Sequence, residues 1–270
     1  MRPRFRLPLC LAFAALFLAA PHAEDKVPVQ KGEQFIYRLS WGLFGKAGEL
    51  RISADDSADA AGQETHVTME TSTRGLIRAL YPFDGRADSF YDNESGRLLR
   101  ATATTVTRTK ETEANIILDY DQARATYTDV RRPERSVEVE LPKLEPVDFL
   151  TTMIQTRQWD IAVGEKRNVS VLFDDEFYEL TITAEAVETI KTRWGKKEAL
   201  ILVPRMEENP KGMFKRGGEV RVWVSRDDDH LPLRFEVKVA VGTALAILTD
   251  YTQDGIDAMA SARKAKDNRN

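Results

Sequence analysis

Apolar residues recur at every second position through most of this chain, and that period constrains the fold more than any other feature. Phe35, Tyr37, Leu39 and Trp41 open the pattern, and Ile116, Leu118 and Tyr120 repeat it. Val137, Val139 and Leu141 follow, then Val169, Val171 and Phe173, then Tyr178, Leu180 and Ile182. Val220, Val222 and Val224 precede Leu233, Phe235, Val237 and Val239, and Leu245, Ile247, Thr249 and Tyr251 close the series. A period of two puts each set on one face of a β-strand. The polar residues between them imply one solvated face, which suits antiparallel pairing. Turn chemistry separates the runs: three glycines within Gly42–Gly48, then Asp92–Gly96, Asp119–Ala123, Trp194-Gly195-Lys196 and Arg226–His230. The spacing predicts about twelve to fifteen strands.

One segment departs from the alternation. Asp148 is a good N-cap, and Leu150, Met153, Ile154 and Arg157 follow at helical spacing after Pro142 and Pro146. A shorter helix is predicted over Arg74–Leu80. The reading is therefore all-β and mainly antiparallel, a curved or barrel-like sheet braced by one central helix, because long open sheets curl or close. Its inner face is expected to carry Trp41, Trp223 and Phe235.

The N-terminus reads as an address. Arg2, Arg4 and Arg6 precede an unbroken apolar run, Leu7–Ala20, and Ala23 is a small residue at a plausible cleavage point. Fourteen apolar residues fall short of the roughly 20 that span a bilayer, so residues 1–23 are expected to be a signal peptide and no transmembrane anchor is expected after cleavage. The protein is then periplasmic. Residues 24–256 are expected to form a single exported β-rich domain, since neither flank of the central helix has a linker's composition, and residues 257–270 a frayed tail. The only cysteine, Cys10, leaves with the leader. The 39 Lys and Arg lose three with it while all 43 Asp and Glu stay, so the exported chain is acidic. That argues against a nucleic-acid partner.

Few residues offer catalytic chemistry. Only His66 and His230 remain, with no nucleophile elbow, phosphate loop or zinc motif. No catalytic residue, metal site or cofactor is assigned, and the residues lean away from an enzyme. Asp227-Asp228-Asp229-His230 and Asp174-Asp175-Glu176 read as turns between strands rather than as sites. Two loops stand out instead. Residues 74–83 are apolar and aromatic yet hold Gly, Pro and two arginines, as in a lid over an apolar cavity, a membrane-touching segment or a crossover over the core. Leu76, Ile77, Leu80, Tyr81 and Phe83, with Trp41, Trp223 and Phe235, are the candidate ligand-binding residues. Residues 209–218 are turn-rich and basic; Lys211, Met213, Phe214, Lys215 and Arg216 are candidates for surface or membrane contact, unless Phe214 folds back on the sheet.

A family resemblance covers nearly all of the exported chain. Tyr37–Gly48 resembles the opening strand of the bacterial exported family called domain of unknown function 3108, and Leu80–Asp84 with Asp88-Ser89-Phe90 resembles its next segment. Asp148–Arg157 is similar to its central helix, with Thr151 and Ile154 where the family often has Ser-x-x-Tyr. Thr189–Gly195, Met213-Phe214, Val222–Ser225 and Leu231–Leu233 complete the match. The family supplies compartment and kinship, and no activity. The Trp-bearing strand, acidic turn and Leu-Pro strand are also similar to the hairpin of periplasmic lipoprotein carriers, which implies an open barrel around an apolar cavity. The leading expectation is a protein that binds or carries a lipid-like or amphiphilic ligand in the cell envelope. The alternatives are a non-enzymatic assembly or scaffold factor that binds another envelope protein, and a hydrolase of an envelope polymer that uses two carboxylates.

Overall fold

The alternating segments all become strands of one sheet. The computed structural model describes residues 27–42, 44–56, 62–173, 175–208, 210, 214, 218–239 and 242–253. The expected signal peptide and the 257–270 tail lie outside the described residues. The first half holds β1 (Glu33–Trp41), β2 (Phe44–Asp56), β3 (Glu64–Thr73), β4 (Phe83–Asp92), β5 (Leu98–Thr107), β6 (Glu111–Asp119), β7 (Arg124–Asp129) and β8 (Val137–Glu140). The second holds β9 (Pro146–Asp148), β10 (Lys166–Phe173), β11 (Glu176–Thr192), β12 (Gly195–Arg205), β13 (Glu219–Ser225), β14 (Pro232–Val239) and β15 (Gly242–Gln253). Spatial order runs from β8 back to β1, then from β15 back to β9. Neighbours are antiparallel except β9 and β10, which run parallel.

This order forces the sheet to curl. Its two edges, β8 and β9, are consecutive in the chain and separated only by residues 141–145. Laid flat, fifteen strands would hold those edges about 65 Å apart. The six steps from Glu140 to Pro146 reach about 21 Å at full extension. The sheet therefore wraps into a barrel-like roll, with β8 and β9 left unpaired at a seam. Side chains bridge near it: Tyr91 Oη donates to Asp148 at 2.7 Å, and Arg97 Nε to Glu145 at 2.7 Å.

Cross-strand partners share a face, and one row crosses eight strands in order: Thr73, Gly48, Leu39, Ala246, Phe235, Val222, Leu202 and Ala184. Every member after Thr73 is apolar or glycine, which identifies the interior. Gly48 admits no larger residue, because a Cβ there would lie 2.3 Å from the backbone oxygen of Ser72. The larger of two core clusters draws on both halves, from Phe35, Tyr37, Tyr91 and Leu98 to Val203, Leu233 and Leu248.

Helix α2 (Phe149–Gln155) packs into this interior, with Met153 in the smaller cluster and Ile154 in the larger. Asp148 caps it as the sequence predicts: its Oδ1 accepts from Thr151 N at 2.8 Å. A 3-10 turn, Thr156–Gln158, follows. From it Arg157 donates to the buried Glu33 of β1 at 2.6 Å, and Tyr251 Oη of β15 donates to the same carboxylate at 2.7 Å. Burial and the Glu33 charge push the Tyr251 hydroxyl well above the usual tyrosine range. Helix α1 (Gly75–Leu80) buries none of its residues. Gly75, at φ +58°, takes the left-handed conformation that turns the chain out of β3 into it.

Candidate functional site

The roll is incompletely filled at one end. The start of β2, the end of β3 and the first half of β15 carry small or short side chains there. Ala47, Gly48, Thr71, Thr73, Ala244 and Ala246 leave space that Leu39, Leu50, Val220, Phe235 and Val237 do not close. The result is a cavity of about 450 Å³. Met153 of α2 forms part of its wall, and Ile77, Tyr81 and Phe83 cover it from the α1 side. Among the described residues no Asp, Glu, Lys, Arg or His lines it. The Tyr37 and Phe235 rings pack at 5.1 Å beside it.

The cover is held by its ends. Thr73 Oγ1 accepts from Phe83 N at 2.9 Å and donates to Tyr81 O at 3.0 Å, so this lining hydroxyl is spent on the backbone. Arg78 forks onto both carboxylate oxygens of Asp84 at 2.8 Å, Arg74 reaches Glu49 at 3.1 Å, and Arg108 Nη2 donates to Ala79 O at 2.7 Å. The Arg78 hydrogen bond holds the Asp84 carboxyl below its usual range.

Of the eight apolar residues singled out in the sequence, five meet at this cavity: Trp41, Ile77, Tyr81, Phe83 and Phe235. Leu76 and Leu80 lie on α1 away from the cavity, each 63% exposed. Trp223 is not in the lining. It follows Val222 and so points to the opposite face of β13, where it is 3% exposed. There its Nε1 donates to Glu188 at 2.9 Å and the Arg234 guanidinium sits 4.3 Å from its ring. In the basic loop, Phe214 is half-buried against the smaller core cluster. Lys211, Met213, Lys215 and Arg216 lie outside the described residues. Sequence reading overlooked Ala47, Met153, Ala244 and Ala246. The available signal was smallness, since alanines in a strand of large apolar residues mark where an interior is left unfilled.

The acidic segments are local. Asp227 closes the β13–β14 turn: its carboxylate accepts from Ser225 Oγ at 2.6 Å and pairs with Lys197. Burial raises its pKa, but those hydrogen bonds outweigh it and hold the carboxyl below the usual range. His230 sits in the left-handed region at φ +45°. Asp174 lies outside the described residues. Asp175 and Glu176 line a groove of about 860 Å³ along the seam, with Glu140, Glu179, Glu207 and Glu208. Among the described residues, no three His, Cys, Asp or Glu side chains gather as a metal site, and no helix is long and apolar enough to cross a membrane.

Fold and cavity together define a class: a barrel-like antiparallel meander, open along one seam, with an apolar chamber at one end. The chain belongs to the family described as "protein of unknown function (DUF3108)", whose model matches residues 36–249. No curated protein matches the sequence. Among solved structures, it is similar to a β-barrel-like protein of domain of unknown function DUF1849 from Brucella abortus. The two share 10% identity and a TM-score of 0.54, over 83% of this chain and 99% of that one. A protein from Bacteroides fragilis described as having a YmcC-like fold aligns over 84% of this chain and 98% of its own, at 9% identity and a TM-score of 0.32. The first likeness concerns the fold alone.

Proposed function

We propose that this protein is exported to the periplasm and there binds or carries the apolar part of a lipid-like or amphiphilic molecule in the α1-covered cavity. One observation carries the reading: a cavity of about 450 Å³ whose lining, among the described residues, holds no ionisable side chain except Tyr81. That volume falls within the roughly 300–1,000 Å³ of small-molecule sites. A lining without charge favours hydrocarbon and penalises a buried ionic group that finds no partner. Trp41, Ile77, Tyr81, Phe83 and Phe235 supply the contact surface, and a polar headgroup would stay at the mouth among the arginines that fasten the cover. Export is argued from the basic, apolar and small-residue sequence of residues 1–23.

Native mass spectrometry of the gently purified protein tests the reading, alongside binding of a fluorescent fatty acid. The expected result is a co-purified lipid mass and saturable probe binding, both lost on Ala244→Phe, which fills the chamber beside Trp41 and Val237. A bare protein that takes up no probe would overturn the reading and leave the assembly-factor alternative in its place.

A further inference from the structure

The outside of the cavity cover has a character of its own. Leu76, Leu80 and Tyr81 are each 63% exposed, although they sit in the most apolar stretch of the α1 region. Trp41, at the rim of the same cavity, is also large, apolar and exposed. Single exposed apolar residues are ordinary, whereas a group of them around one opening marks a contact surface.

Four cations lie beside this group, against the carboxylates Glu49, Asp84 and Glu111. Arg74 and Arg78 lie on α1 or at its start, and Arg108 and Lys110 on the adjoining β5–β6 turn. Arg74 and Arg78 each share a carboxylate. Arg108 donates to the Ala79 carbonyl and forms no ion pair among the described residues, so its charge faces outward. This concentration of arginine occurs on a chain whose net charge is −4. A globular protein partner could cover the apolar group, but the combination of leucines, interfacial Trp and Tyr, and flanking arginines is that of a segment lying in a lipid interface. Arg108 and Lys110, neither in an ion pair among the described residues, suit phosphate oxygens.

We infer that α1 and Tyr81 form a docking surface for an anionic phospholipid bilayer, with Leu76 and Leu80 entering the acyl boundary and Arg108 and Lys110 meeting headgroup phosphates. Docked in this way, the cavity mouth faces the hydrocarbon, and a chain passes between bilayer and chamber without crossing water. The docking surface rests on the exposed face of α1, while the binding reading rests on the buried one, so the two can fail separately.

Cosedimentation with vesicles of phosphatidylcholine, with or without about one third phosphatidylglycerol, tests the inference. The expected result is binding to the anionic vesicles that weakens with salt. Leu76→Asp/Leu80→Asp is expected to reduce it at least about tenfold, and Arg108→Glu to reduce it on anionic vesicles only. The leucine pair lies outside the cavity, so the same variant is expected to keep its fatty-acid probe binding and its far-UV spectrum. Absence of vesicle binding, or binding that the leucine pair does not change, would overturn the docking surface whatever the probe does. Loss of probe binding in the unsubstituted protein would strike the cavity reading alone.

Discussion

Glu33 carries more of the structure than its place in the sequence suggests. Its carboxylate is fully buried and receives Arg157, Tyr251 Oη and the backbone N–H of Gln30. Three separate parts of the chain meet at one charge, and Arg157 also lies 5.3 Å from the Phe35 ring. Removing one partner of a buried ion pair leaves the other charged and unsatisfied. Arg157 Nη1 already has no hydrogen-bond partner among the described residues in its buried position, so the site has no reserve. Glu33→Ala is expected to cost about 3–5 kcal/mol in urea-induced unfolding. Glu33→Ala/Arg157→Met is expected to recover part of that loss, and a double variant less stable than the single one would contradict the account. None of this was legible in the sequence. Glu33 reads as a polar residue ahead of an alternating run, and its cation lies 124 positions away. Local pattern reports which residue types occur together, whereas a charge partner this distant is set by the topology.

At the level of elements the sequence was far more explicit. Alternation placed β1, β6, β8, β10, β11 and β13–β15, because a half-buried strand has to separate its two faces. Where both faces are covered the pattern still places the strand but does not tell which face lines the cavity, and β13 is the case in point. Val220, Val222 and Val224 mark one face while Trp223 marks the other, and both are buried. Assigning Trp223 to the cavity side was incompatible with the period of two that identified the strand. The central helix was legible from its cap. Asp148 does two jobs, accepting from Thr151 N and from the buried Tyr91 hydroxyl of β4. Burial, with the nearby Asp148 charge, pushes that hydroxyl's pKa well above the usual tyrosine range, so it acts as a donor throughout the physiological range. Asp148→Ala removes the cap and strands the hydroxyl, for an expected loss of about 2–4 kcal/mol. Tyr91→Phe in the same background is expected to return the hydroxyl's share, measured as the coupling in a double-mutant cycle. Additivity of the two substitutions would show that the cap and the β4–β9 bridge are independent.

The organisation of the whole molecule follows from where its edges fall. The strands form two meanders, β1 to β8 and β10 to β15, which a reader of the sequence could take for two domains on either side of α2. The β1–β15 ladder joins them along nine residues of β1, and the larger core cluster takes residues from both. Among the described residues, no plane divides the two without breaking a ladder and opening the core. We propose on these grounds that both meanders unfold together. A variant with Trp41, Trp159 and Trp194 changed to Phe keeps Trp223 as a reporter of the second meander, while far-UV circular dichroism reports strands in both. Their urea transitions are expected to coincide, with one midpoint and one slope. Pairing β1 with β15 closes a loop of roughly two hundred residues, so refolding is also expected to be slow for a chain of this size. Two resolved midpoints would mean that the β1–β15 ladder is a contact between independent units. The cavity, whose wall takes residues from β1 to β4 and from β13 to β15, would then form only where those units meet.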